Sequence, residues 1–345
     1  MGLRGALGRR YPGADIHLQG AVPVGTVVPV YGSHLRKRAA RVKHTDGQAA
    51  PSYYMFPLHP WGRRGLSYEA AMRILFCGDV VGRAGRDAVI ANLPRLRRDL
   101  RLDFIVVNGE NAAHGFGITA DICRDFHAAG CDVITGGNHS WDKKEIIPYI
   151  AGDPRLLRPM NFPPGTPGNG HGIYRLADGR AILVINAMGR LFMDAIDDPF
   201  RAVDALLKQH PLGSVDAILV DFHGEATSEK VAMGVFCDGR ASAVVGSHTH
   251  VPTADHRILP GGTAFQTDAG MCGDYDSVIG IKKETVVARF VTKIQGERMQ
   301  VAEGEGTLCG LYIATDDATG LATEVAPVRV GGRLAPAMPR TDSAA

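Results

Sequence analysis

From residue 73 onward, short apolar runs alternate with amphipathic stretches, and that alternation predicts the elements. Residues 74–77 (ILFC), 104–107 and 131–135 read as strands, and helical spacing of apolar positions covers 86–100, 120–129 and 143–150. Pro94 is an irregularity inside the first of these helices. Further strands are expected at 182–186, 217–222, 242–245, 263–267 and 285–292, with a hairpin-like ending near 308–314. Strands alternating with helices predict an α/β layered domain containing a mostly parallel sheet, and the strand-rich later half points to a second sheet packed on the first.

Residues 1–71 sustain neither period and are dense in Gly, Pro, Arg and Lys. They are expected to form a poorly ordered basic extension with a short strand near 27–31, an over-long start being one account of it. Met72 reads as a natural domain start. The expected organisation is therefore an extension over 1–71, one domain over 72–328, and a flexible Gly/Ala/Pro-rich tail over 329–345.

Composition refines this picture at three points. With 345 residues, 45% hydrophobic and 21% charged, the chain has ample material for a packed core. The formal charge of +2 conceals an asymmetry, because residues 1–71 hold ten Lys/Arg against three Asp/Glu and the remainder 28 against 33. A basic leader on an acidic body removes the case for a nucleic-acid surface over the whole protein. It leaves open a nucleic-acid or lipid contact at HLRKRAARVK, for which a solvated basic tail is the preferred account. The six cysteines are scattered through apolar segments without a C-x-x-C pair, which fits reduced thiols. No run approaches the roughly 18 apolar residues of a spanning helix. Together these features predict a cytoplasmic protein without a signal peptide or membrane partner.

The candidate chemistry lies just after the strands. Asp79 stands in CGDVVG, Glu110 and Asn111 in NGENAAHG, Asn138 and His139 in GGNHSWD, His223 in DFHGEATSEK, and His248 and His250 in GSHTHVPTAD. Each cluster alone has an ordinary account: a helix cap for Asp79, a turn for Glu110-Asn111 or Asn138, a satisfied core histidine for His139 or His223. The glycines of GDVVGRAG match neither a dinucleotide fingerprint nor a P-loop. His248 and His250 differ, because alternate residues on extended backbone face opposite ways, so two imidazoles at one centre require an irregular loop. The carboxyl ends of strands in open α/β sheets line the ligand crevice, so the five clusters are expected to converge.

The ordered motifs resemble the calcineurin-like metallophosphoesterase superfamily. GDVVGRAGR, NGENAAHGFGI, GGNHSWDKKE, FHGEATSEK, SHTHVPTAD and TDAGMCGDYDSVIG resemble more closely its bacterial YmdB-type phosphodiesterases, over residues 72 to about 326. Two features depart from the wider superfamily: Val81 stands where Asp-x-His has its histidine, and Glu110 stands where the bridging Asp is usual. The subfamily resemblance accounts for both, implying that Glu110 bridges two metals and Asn111 supplies an amide oxygen. Gly224 and Ser247 depart from the subfamily at positions not proposed as ligands.

The resemblance implies an α-β-β-α layered β-sandwich flanked by helices. It implies Asp79, Glu110, Asn111 and His250 around one metal, and Glu110, Asn138, His223 and His248 around a second. The cofactors implied are two divalent or trivalent ions, iron foremost and manganese or zinc as the others, in keeping with hard oxygen and imidazole donors without thiolate. The substrate implied is a small phosphodiester, 2′,3′-cyclic nucleotides first, attacked by a metal-bridged hydroxide while His139 protonates the leaving alkoxide as general acid. Two divalent ions against two carboxylates and one hydroxide leave about one positive charge, which suits a phosphodiester monoanion. Asp142 is expected to cap the following helix, and His114 to be a mobile surface histidine. A broad-specificity phosphatase or phosphodiesterase, or a non-catalytic regulatory protein binding nucleotide or RNA, are the alternatives, and a homo-oligomer is left open.

Overall fold

A computed structural model describes residues 72–340 apart from 295 and 297. The extension over 1–71, with the strand expected near 27–31, and residues 341–345 lie outside the described residues. In chain order the elements are β1 (Arg73–Cys77), β2 (Asp79–Val80), α1 (Gly82–Asp99), β3 (Phe104–Asn108), α2 (Ala120–Ala128), β4 (Val133–Thr135) and α3 (Ile146–Ile150). There follow β5 (His171–Arg175), β6 (Ala181–Met188), α4 (Pro199–Gln209), β7 (Ala217–His223), α5 (Thr227–Cys237), β8 (Ala243–Ser247), β9 (Arg257–Ile258) and β10 (Ala264–Gln266). β11 (Met271–Asp274), α6 (Lys283–Thr292), β12 (Gly306–Thr315) and β13 (Ala322–Val330) complete the order.

The strands form two sheets. The first runs β2-β11-β12-β1-β3-β4 with β13 also on β12, and the second runs β5-β6-β7-β8-β10-β9. Within the first, β1, β3 and β4 are parallel; within the second, β6, β7, β8 and β10 are parallel. Side-chain alternation along each strand builds three cores. Ile74, Phe76, Val106, Leu311 and Ile313 of the first sheet meet Ile182, Val184, Leu219 and Val245 of the second. The intervening positions Leu75, Ile105 and Val107 pack instead on Val89, Leu93 and Leu96 of α1 and Phe126 of α2. On the far side Leu183, Ile185, Val220 and Phe222 pack on Val203 and Leu207 of α4 and Met233 of α5. Helices therefore cover the outer face of each sheet, giving α-β-β-α layers, and β6 is buried at all eight positions because both its faces are covered.

The strand expected at 285–292 is a helix, α6. Its β-branched run buries only Val286, while Phe290 and Val291 are 68% and 77% exposed. Strand propensity mostly measures how a side chain fits a half-covered pleated surface, and no sheet receives this run. The helix expected from 143 begins only at Ile146. Beyond β13, Arg329 and Ala337 exchange backbone hydrogen bonds, so part of the segment expected as tail folds back on the last strand.

Candidate metal centre

The carboxyl ends of the parallel strands in both sheets meet at one rim. Asp79 sits on β2, Glu110 and Asn111 follow β3, Asn138 and His139 follow β4, His223 ends β7, and His248 and His250 follow β8. Ligand atoms of Glu110, His223 and His248 lie within 4.8 Å of one another, and so do those of Asp79, Glu110 and His250. Glu110 belongs to both groups. The two asparagines join one group each: Asn138 Oδ1 is 2.9 Å from His223 Nε2, and Asn111 Oδ1 is 3.3 Å from His250 Nε2. His223 Nε2 also lies 3.2 Å from Glu110 Oε2 and 3.1 Å from His248 Nδ1.

This set of donors fits metal ions. Asp79 Oδ1 and Glu110 Oε1 are buried and accept no hydrogen bond among the described residues. A buried carboxylate oxygen without a partner costs on the order of 1–3 kcal/mol or more, which a cation between the two groups offsets. Burial pushes the Asp79 carboxyl up, His250 and His223 opposing it. For Glu110 burial also acts upward, but the charge and hydrogen bond of His223, with His139 and His248, outweigh it and hold the group at about 2. Burial acts downward on His223, yet Glu110, Asp79 and Asp221 raise it to about 9. Burial and the neighbouring His223 lower His248 to about 3, which keeps it the neutral imidazole that metal ligation requires.

Local backbone explains how each ligand is aimed. His248 and His250 both adopt left-handed φ, 97° and 65°, the irregular loop that an H-x-H pair on one centre needs. The His248 amide donates to Asp79 Oδ2 at 3.0 Å, tying the two sheets at the rim. His250 Nδ1 pairs with the Ile279 carbonyl at 2.9 Å, which turns its Nε2 toward Asn111. Asn111 donates its amide NH2 to the Gly115 carbonyl at 3.0 Å, leaving Oδ1 for the centre. Gly137 lies so close that a Cβ there would sit 2.1 Å from Glu110 Oε2 and 2.4 Å from His223 Nε2. Gly137→Ala is therefore expected to lower bound metal below about half and activity at least about tenfold. Metal analysis of the purified variant checks this, and full occupancy would show that the rim yields.

Several residues that hold the centre carry no signal in the sequence pattern. Ser247 Oγ lies 3.0 Å from His223 Nδ1 and donates to Asp221 Oδ1 at 2.6 Å. Asp221, raised to about 6 by burial, also accepts from Asn108 of the other sheet at 3.0 Å. Under the histidine loop, Lys230 pairs with Asp268 at 2.7 Å, the two being 1% and 0% exposed. Asp268 further accepts from the Thr249 amide at 3.0 Å and the Thr249 hydroxyl at 2.7 Å. Both residues lie in the quoted segments FHGEATSEK and TDAGMCGDYDSVIG, the only hint the sequence offers. Lys230→Met strands the buried Asp268 charge and is expected to cost about 3–5 kcal/mol in urea unfolding, with much of it recovered in Lys230→Met/Asp268→Asn. Equal midpoints for wild type and the single variant would remove this pair from the scaffold.

His139 points its Nδ1 at Asp142 Oδ2, 2.8 Å away, while its amide donates to Glu110 Oε2 at 3.3 Å. The Phe116 ring meets the imidazole edge-on with centroids 5.0 Å apart. Asp142 is thus an orienting partner and not the expected helix cap: α3 begins four residues later, and Glu145 at its N-cap makes no side-chain cap bond. His114 adopts left-handed φ of 61° in the glycine loop beside Asn111.

A family model described as YmdB-like protein matches residues 75–328. The chain is 51% identical over 254 residues to a 2′,3′-cyclic-nucleotide 2′-phosphodiesterase of Bacillus subtilis (strain 168), covering 74% of this chain and 95% of that protein. Among solved structures, a hypothetical protein from Thermus thermophilus is similar at 42% identity and TM-score 0.71, over 76% of this chain and all of that one. A novel phosphatase from Mycoplasma pneumoniae is similar at 32% identity and TM-score 0.71, over 76% of this chain and 94% of that one.

Proposed function

We propose that this chain, which belongs to the YmdB-like protein family, is a two-metal phosphodiesterase that hydrolyses small phosphodiesters, 2′,3′-cyclic nucleotides foremost. The observation that carries this reading is the pair of ligand groups that share Glu110. Asp79, Glu110, Asn111 and His250 hold one ion, and Glu110, Asn138, His223 and His248 the other. Iron is the first candidate for both, with manganese or zinc the others, since the donors are carboxylate, amide and imidazole. Two such ions supply an activated water and neutralise charge on the phosphoryl oxygens.

The protein's own residues do the rest. His139 is the general acid: its Nδ1–H is held by Asp142, so Nε2–H is the proton available to the leaving alkoxide. Asp142 fixes the ring plane, and the Phe116 ring packs against the imidazole with centroids 5.0 Å apart. The six buried free cysteines suit work in a reducing cytoplasm. The 51% identity to a protein named as a 2′,3′-cyclic-nucleotide 2′-phosphodiesterase supports the substrate class. The deciding experiment combines metal analysis with a screen of 2′,3′-cyclic nucleotides, linear dinucleotides, bis-p-nitrophenyl phosphate and phosphomonoesters. Turnover of the cyclic diesters above the monoesters is expected, and inactivity with iron, manganese and zinc alike would overturn the proposal.

A further inference from the structure

A cleft of about 510 Å3 opens beside His139, lined among others by Arg86, His114, Thr119, Asp142, Lys143 and Lys144. Its volume is that of an ordinary small-ligand site. Two links join it to the metal centre. Asp142 lines the cleft and also holds His139 Nδ1 at 2.8 Å, and the loop at His114 passes directly to Gly115, whose carbonyl orients Asn111.

The cleft carries three cationic groups, Arg86, Lys143 and Lys144, against two acidic ones, Asp142 and Glu145, and so has a small excess of positive charge. Of its charged groups, Asp142 is engaged by His139, and Arg86 gives one guanidinium NH to the Ala112 carbonyl. The ammonium groups of Lys143 and Lys144 and the carboxylate of Glu145 make no hydrogen bond or ion pair among the described residues, so two free cations stand against one free anion. The stem of Lys143 is half-buried and packs so tightly on the glycine loop that a Cβ at Gly117 would lie 2.9 Å from its Cγ. An unpaired ammonium on a confined stem has less freedom to lose on meeting an anion.

The chemistry of the proposed substrate says which part of it reaches this cleft. In a 2′,3′-cyclic nucleotide the leaving oxygen remains on the ribose, so a general acid that protonates it must face the ribose. With His139 as that acid, the ribose and its 5′ end lie on the His139 side of phosphorus, which is where the cleft opens. Building on the phosphodiesterase reading above, we infer that this cleft is an anion subsite for the phosphate on the 5′ side of a 2′,3′-cyclic end. A 5′-phosphate on a mononucleotide and the next phosphodiester of an oligonucleotide present the same chemistry, and Lys143 and Lys144 are the residues that select for it.

Binding and turnover test this separately. Adenosine 3′,5′-bisphosphate is expected to bind manganese-loaded protein about tenfold tighter than adenosine 3′-monophosphate by calorimetry, the scale of one to two charge-assisted hydrogen bonds. In steady-state kinetics, 5′-phosphorylated 2′,3′-cyclic AMP is expected to exceed 2′,3′-cyclic AMP in kcat/KM by a similar factor, carried by KM. In Lys143→Ala/Lys144→Ala both ratios fall toward one, and in Lys143→Arg/Lys144→Arg they persist. A dinucleotide ending in a 2′,3′-cyclic phosphate separates the two sources: preference for it over the 5′-phosphorylated mononucleotide identifies an oligonucleotide end, and the reverse a mononucleotide. Equal affinities for the two adenosine phosphates, or ratios unmoved by the alanine pair, overturn the subsite. Failure to hydrolyse either cyclic substrate overturns the phosphodiesterase reading instead, and the calorimetric ratio still reports on the cleft.

Discussion

Asp79→Asn lowers turnover of bis-p-nitrophenyl phosphate at least about a thousandfold and leaves the protein short of metal, while the fold survives. The substitution is isosteric, so an amide oxygen can still accept from the His248 amide as Asp79 Oδ2 does at 3.0 Å. What changes is the buried Oδ1, which accepts no hydrogen bond and lies 3.6 Å from His223 Nδ1, and which becomes an NH2 or a weaker neutral oxygen facing the candidate cation site. The sign of the stability effect is a further check. Burial raises the Asp79 carboxyl, so the folded state binds its proton more tightly than the unfolded state does. Its ionised form therefore destabilises the protein as pH rises above the unfolded value near 3.8. After stripping with EDTA at about pH 7, Asp79→Asn is expected to melt no lower than wild type, whereas with metal restored wild type melts higher because only it gains binding energy. Wild-type metal content in the variant would remove Asp79 from the ligand set.

His139→Ala is the second large effect and separates proton delivery from metal binding. The backbone amide of residue 139 still donates to Glu110 Oε2, so both ions are expected to remain at wild-type stoichiometry. Loss of a general acid costs about 10²–10⁴ in kcat when the leaving group is a ribose alkoxide. A p-nitrophenolate leaves without protonation, so turnover of bis-p-nitrophenyl phosphate falls far less. This dependence on leaving group is the signature sought in parallel kinetics on the two substrates. An equal loss on both, or depletion of metal, would assign His139 a structural task. Asp142→Asn keeps a side chain near Nδ1 without its charge and is expected to reproduce the same leaving-group pattern at about tenfold.

The layers and the convergence of the candidate ligands are legible in the sequence for one reason: both follow from chemistry that allows few residue types. A strand buried on both faces must be an apolar run, as 182–186 and 217–222 are, and a metal at a strand end needs carboxylate, amide or imidazole there. The supporting residues obey no such restriction. Ser247, Asp221, Lys230 and Asp268 are ordinary residue types that become partners only when segments 26 or 38 positions apart fold together. Asp142 has the form of a cap, a carboxylate shortly before an apolar turn, yet the chain turns before α3 and gives that oxygen to His139. The run in α6 departs from expectation for a different reason: its valines have strand propensity, but no strand edge takes them up, and local hydrogen bonding prevails.

Four of the seven candidate ligands belong to the first sheet's strand ends and three to the second's, and each candidate ligand group draws on both. A chain cut anywhere between residues 139 and 223 leaves Asp79, Glu110, Asn111 and Asn138 on one piece and His223, His248 and His250 on the other, so neither piece carries a complete candidate ligand group. Hydrolysis by such a mixture would count reassembled molecules, and a metal-loaded centre would then be a rivet between the layers as much as a reagent.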